Sequence, residues 1–148
     1  MKFIHDKSNI EGDVELADGV SVWPFASIRG DEGKIIIGEN TSVQDNVTIH
    51  GAATIGKNVT IGHNAVIHGA TIKDNVIVGM NSTILDGAEI GEWSIIAAGA
   101  VITPNKKIEP ESVVMGVPGK VVRKAEDKDR ACITKSYQNY LDKIKDKN

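Results

Sequence analysis

Aromatic residues are scarce in this sequence: two Trp, two Tyr and two Phe make up 4% of its 148 residues. A core filled with rings is excluded, and the interior has to be built from aliphatic side chains. Cysteine is scarcer still, because Cys132 stands alone and no internal disulfide can form. Nowhere does the chain run to the roughly 18 consecutive apolar residues of a bilayer-crossing helix, so no membrane partner is expected. The N-terminus, Met1-Lys2-Phe3-Ile4-His5-Asp6, lacks the apolar run of a signal peptide, and with the unpaired cysteine it reads as cytoplasmic. There is no basic excess either. A net charge of -3, with Lys and Arg dispersed until the C-terminal tail, leaves no stripe to neutralise phosphates and argues against nucleic acid.

What the chain has is a period. Aliphatic residues recur at six-residue spacing through Ile37, Val43, Ile49, Ile55, Ile61 and Ile67, and again through Ile72, Val78, Ile84, Ile90, Ile96 and Ile102. One five-residue step joins these runs, and one nine-residue step leads back from Ile37 to Ile28, Val22, Leu16, Ile10 and Ile4. Four residues after most ladder positions stands a smaller residue, such as Thr41, Val47, Ala53 or Ala65. Period six matches neither a helix nor plain strand alternation. It fits a short strand followed by a tight corner, with the ladder residue inward and Gly or Asn turning the chain, as in Ile37-Gly38-Glu39-Asn40. Three sides then close a coil of about 18 residues, and coils stack at roughly 4.8 Å. The expected fold is an all-β solenoid, a parallel β-helix over residues 1–122. Residues 123–148 form a linker and an amphipathic C-terminal helix, whose stripe Ile133, Tyr137, Tyr140, Leu141 and Ile144 packs on the prism or on a neighbouring subunit.

The register gives the histidines a meaning they lack singly. Ile28, Ile49 and Ile67 share a column, so Arg29, His50 and His68, each one residue further on, stack as well. Val43 and Ile61 share another, which stacks Asp45 on His63. Backbones about 4.8 Å apart allow His50 and His68 to reach one metal at roughly 2.0–2.1 Å. His63 precedes His68 by five residues, some 16 Å of extended strand at about 3.3 Å per residue less the bend of the corner. A three-histidine site therefore needs a second subunit, and a ring of three prisms forms three such sites.

Ser27-Ile28-Arg29-Gly30-Asp31, Ser42-Val43-Gln44-Asp45, His50, the block from His63 to Gly69, Gly79-Met80 and Gly116-Val117-Pro118-Gly119 together resemble the γ-class carbonic anhydrases and their hexapeptide-repeat relatives. The resemblance implies a left-handed helix and a homotrimer. It also implies that His50 and His68 of one subunit and His63 of the next hold Zn2+, with Fe2+ or Co2+ as alternatives for the same ligands. By the same resemblance Gln44 orients the reacting solvent, Asp45 and Arg29 lie beside it, and Arg29 and Asp31 pair across subunits. Tyr137 and Asn139 match a Tyr-x-Asn pattern whose helix reaches the pocket.

Three neutral histidines leave zinc an open position at which water becomes acidic near pH 7, suited to converting carbon dioxide to bicarbonate. The chain departs from the fully active archaeal pattern: Gly51-Ala52-Ala53-Thr54 stands where an acidic loop supplies a proton-shuttling glutamate. Glu32 is then the nearest candidate for proton transfer, and slow turnover is expected. Two other functions fit the repeat. One is a CoA-dependent acyltransferase with a histidine base, although the chain lacks the usual extended acceptor loop. The other is a non-catalytic, metal-binding trimeric assembly protein.

Overall fold

The computed structural model describes residues 1–147 and shows a parallel β-solenoid of about six turns followed by one helix. Strands of mostly two or three residues build three faces. The first face stacks Phe3–Ile4, Ser21–Val22, Ser42–Val43, Thr60–Ile61, Ile77–Val78, Ile95–Ile96 and Ser112–Met115, all in parallel register. The second carries Thr48–His50, Val66–His68, Thr83–Ile84 and Val101–Ile102, and the third Ala53–Ile55, Thr71–Ile72, Glu89–Ile90 and Lys107–Ile108. Two longer strands, Asn9–Leu16 and Ser27–Ile37, run round the corner between those faces and join them.

The irregular steps of the ladder are absorbed locally. Ile49 lies over Ile67 after 18 residues, whereas Ile67 lies over Ile84 after 17. At the nine-residue step, Gly12 faces Gly30 but Val14 faces Ile35, so one residue opposes the four from Asp31 to Lys34. The three extra residues leave the inward columns undisturbed and push Asp31 and Glu32 outward beside His50. From Val22 to Ile102 every ladder residue is at most 1% exposed. Ile4 departs from the expected burial, with 49% exposed, because the first coil has a neighbour on one side only.

Side-chain-bearing corners are turned mainly by asparagine in the left-handed region, with φ of 63° at Asn40 and 57° at Asn58 and Asn75. Those three stack, and each carboxamide satisfies the next. Asn40 Nδ2 donates to Asn58 Oδ1 and Asn58 Nδ2 to Asn75 Oδ1, both at 3.0 Å. The short polar side chain tolerates positive φ and bonds locally, which is why it recurs here.

After Met115 the chain reverses. Lys120–Lys124 pairs antiparallel with Ser112–Met115, and the helix Asp127–Lys145 follows. It packs on the first face, against Ser21–Val22 and Thr60–Ile61, and buries Ile133 and Ile144 while Tyr137, Tyr140 and Leu141 are half-buried. Its N-terminus is fastened by a fork: Arg123 Nη1 and Nη2 donate to Asp129 at 2.6 and 3.0 Å, and the Glu126 N–H donates to the same carboxylate at 2.7 Å. The guanidinium first, then the backbone bond, holds the Asp129 carboxyl well below the usual carboxylate range. Among the described residues no helix is long and apolar enough to cross a membrane.

Candidate metal-binding site

Strand alternation turns Ile49 and Ile67 inward and therefore His50 and His68 outward on the second face. Arg29 pairs in register with His50, and His50 with His68, as the column counting requires. Each histidine closes its strand and is followed by a glycine at positive φ, 73° at Gly51 and 61° at Gly69. A Cβ on Gly51 would stand 3.2 Å from His68 Cε1, so the bare corner leaves room for the ring of the next coil.

The two rings meet edge to face with centroids 5.1 Å apart, and His50 Nδ1 lies 3.1 Å from His68 Nε2. Each outer nitrogen meets a carboxylate. His50 Nε2 is 3.1 Å from Asp31 Oδ1, and His68 Nδ1 is 2.7 Å from Asp86 Oδ1. Arg29 Nη1 donates to the other oxygen of Asp31 at 3.2 Å. The row Asp31, His50, His68, Asp86 thus contains three contacts that each need a proton, and two neutral imidazoles fall one short at the inner contact, which either a third proton or a cation fills. A divalent cation between the inner nitrogens removes the mismatch: both ring protons then point outward to carboxylates. This is the usual outer shell of metal-bound histidine. Two nitrogens at about 2.05 Å from a tetrahedral metal lie roughly 3.3 Å apart, close to the separation seen. The donor set fits zinc, iron(II) or cobalt(II).

His63 stands apart, in the turn between Thr60–Ile61 of the first face and Val66–His68 of the second. Its Nδ1 lies 3.2 Å from Asp45 Oδ1, as expected of stacked residues. Among the described residues of one chain, no three His, Cys, Asp or Glu side chains converge on a metal position. Gln44, beside Asp45, is 5% exposed, and its backbone N–H donates to the Ile61 carbonyl. Glu32 Oε2 comes within 3.6 Å of His50 Nε2. Arg29 and Asp31, two residues apart on one face of the strand Ser27–Ile37, bond to each other within the chain. On the helix, Tyr137 is half-buried and Asn139 exposed. Tyr140 is set edge-on to Trp23 with ring centroids 5.4 Å apart. Burial, and then the Asp45 charge, push its phenol upward. Sequence reasoning missed Asp86. The signal was present in Leu85-Asp86-Gly87, whose aspartate falls one position past His68 in the next coil, opposite Gly69.

A solenoid of hexapeptide repeats bearing a paired-histidine site on one face is the class of protein so defined. The model for the bacterial transferase hexapeptide (six repeats) matches residues 34–69 and 69–104. Gamma carbonic anhydrase 2, mitochondrial, of Arabidopsis thaliana is 37% identical over 149 aligned residues, covering 94% of this chain and 54% of the plant protein. The solved structure of the Bacillus cereus BC4754 gene product superposes with a TM-score of 0.94 at 38% identity, covering 96% of this chain and 85% of that one. A hexapeptide transferase family protein from Anaplasma phagocytophilum gives 0.89 at 34% identity, covering 97% and 91%. The chain belongs to the γ-class carbonic anhydrase-like family of hexapeptide-repeat proteins. It spans about half the length of its plant relative.

Proposed function

We propose that this protein is a carbonic anhydrase-like metalloenzyme that interconverts carbon dioxide and bicarbonate at sites between the subunits of a homotrimer. The observation that carries the reading is the row Asp31, His50, His68, Asp86, two inner nitrogens 3.1 Å apart with a carboxylate at each outer nitrogen. His50 and His68 would hold the metal from one subunit and His63 from its neighbour. The exposed Met80, one coil beyond His63, gives that column the apolar neighbour a subunit contact needs. Bound there, the metal supplies a Lewis acid that makes water nucleophilic at neutral pH. Asp31 and Asp86 hold the imidazoles in orientation, and Asp45 does the same for His63. Gln44, nearly buried beside Asp45, would orient the reacting solvent. Each hydration releases one proton, and Glu32, close to His50 and open to water, would pass it on.

Metal analysis of protein purified without a histidine tag, with carbon dioxide hydration measured on the same sample, tests this. About one metal per chain and a hydration rate lost on chelation are expected. Metal-free protein that cannot be loaded, or a loaded trimer without hydration, contradicts it.

The likeness to a hexapeptide transferase family protein favours one second reading, a CoA-dependent acyltransferase using a histidine as base. Acyl transfer from acetyl-CoA by chelator-treated protein would establish that reading instead.

A further inference from the structure

We propose that Asp86 is a positioning residue that fixes His68 in the tautomer presenting Nε2 to the site, an inference that rests on the metal-site reading above. Asp86 lies in the turn after Thr83–Ile84, one coil beyond the corner that follows His68. The coil from Ile67 to Ile84 is 17 residues long, which sets Leu85 against His68 and Asp86 against Gly69, so the carboxylate reaches back one position to the imidazole. Gly69 then clears its path: a Cβ there would stand 2.7 Å from Asp86 Oδ2. The resulting contact, 2.7 Å from His68 Nδ1 to Asp86 Oδ1, is shorter than any other made by the histidine pair. A carboxylate only accepts, so it selects the Nδ1–H form of a neutral imidazole and leaves the Nε2 lone pair facing His50. Without Asp86 the ring gains by reversing, because Nε2–H can donate to His50 Nδ1. Asp86 therefore does for His68 what Asp31 does for His50.

The test uses Asp86→Ala and Asp86→Asn in the full-length protein, with Asp142→Asn on the helix as an exposed control. Long-range 1H–15N spectra of the metal-free protein near pH 8.5, about two units above the ordinary histidine pKa, report the tautomer directly. Wild type and the control are expected to show His68 as Nδ1–H, and Asp86→Ala to shift it to Nε2–H with an unchanged melting temperature. Cobalt(II) affinity, read from its visible spectrum, is expected to fall about 10–100-fold in Asp86→Ala and less in Asp86→Asn. A wild-type Nε2–H tautomer, a tautomer unmoved in Asp86→Ala, or an unchanged cobalt affinity overturns the proposal. If wild-type protein binds no cobalt at all, the metal-site reading fails while the tautomer measurement still decides the role of Asp86.

Discussion

Two columns of polar side chains run along this solenoid in the same register, and they do opposite things. At one corner Asn40, Asn58 and Asn75 hand a hydrogen bond from each carboxamide to the next. An amide carries both donor and acceptor, so the stack completes itself and contributes stability. On the second face His50 and His68 stack equally closely, yet as neutral rings with their carboxylate partners they fall one proton short at the inner contact, which a third proton or a metal ion completes. A repeat protein supplies stacked side chains at every outward position. Whether a column is structural or chemical depends on whether its members satisfy one another. Breaking the frame should abolish both columns, whereas changing one should leave the other intact.

The largest effect is expected from Ile61→Asp. Ile61 is fully buried between Val43 and Val78, and an unpaired charge there costs several kcal/mol, enough to unfold a marginal domain. Loss of the cooperative thermal transition checks this; a soluble, cooperatively melting variant would mean that the stacked columns are not what holds the coils together.

The next two effects separate the columns. His50→Ala/His68→Ala should weaken metal binding by more than about 100-fold, beyond what losing an outer-shell partner costs, while the melting point of the metal-free protein stays put. Asn58→Gly keeps the left-handed corner but removes both ladder bonds, and should cost about 1–3 kcal/mol in chemical denaturation with metal affinity unchanged. A variant in either column that shifts both readouts would erase the distinction.

The smallest effect concerns the helix. Asp129 is held in its ionised form by Arg123 and by the backbone of Glu126, so its folded pKa lies below its unfolded one. The stability it contributes is fully present above the ordinary carboxylate pKa of about 3.9 and fades as pH falls beneath that. Hydrogen exchange in Asp127–Lys145 should accelerate below about pH 4 relative to the solenoid, and Arg123→Ala should flatten that dependence.

The inward columns were legible in the sequence because an inward position tolerates little besides an aliphatic, so the period survives every irregular step. The stacking of Arg29, His50 and His68, and of Asp45 and His63, followed from that register alone. End effects were not legible: Ile4 continues the ladder yet lies exposed, since burial depends on a neighbouring coil that periodicity does not count. Asp86 was missed because it sits in a turn of the next coil, beyond the step where the count shortens. The rotation of the helix was hidden too. Tyr137 and Tyr140 lie on one apolar stripe, and only packing against Trp23 distinguishes Tyr140.

The proposed function requires His50 and His68 to act with a neighbour's His63. His63→Ala trimers and His50→Ala/His68→Ala trimers should each hold metal poorly. Unfolded together and reassembled as mixed trimers, they should regain metal and metal-dependent hydration, at no more than about a third of wild type, because a mixed ring restores one of its three interfaces. No recovery in trimers shown by mass spectrometry to be mixed would contradict a site shared between subunits.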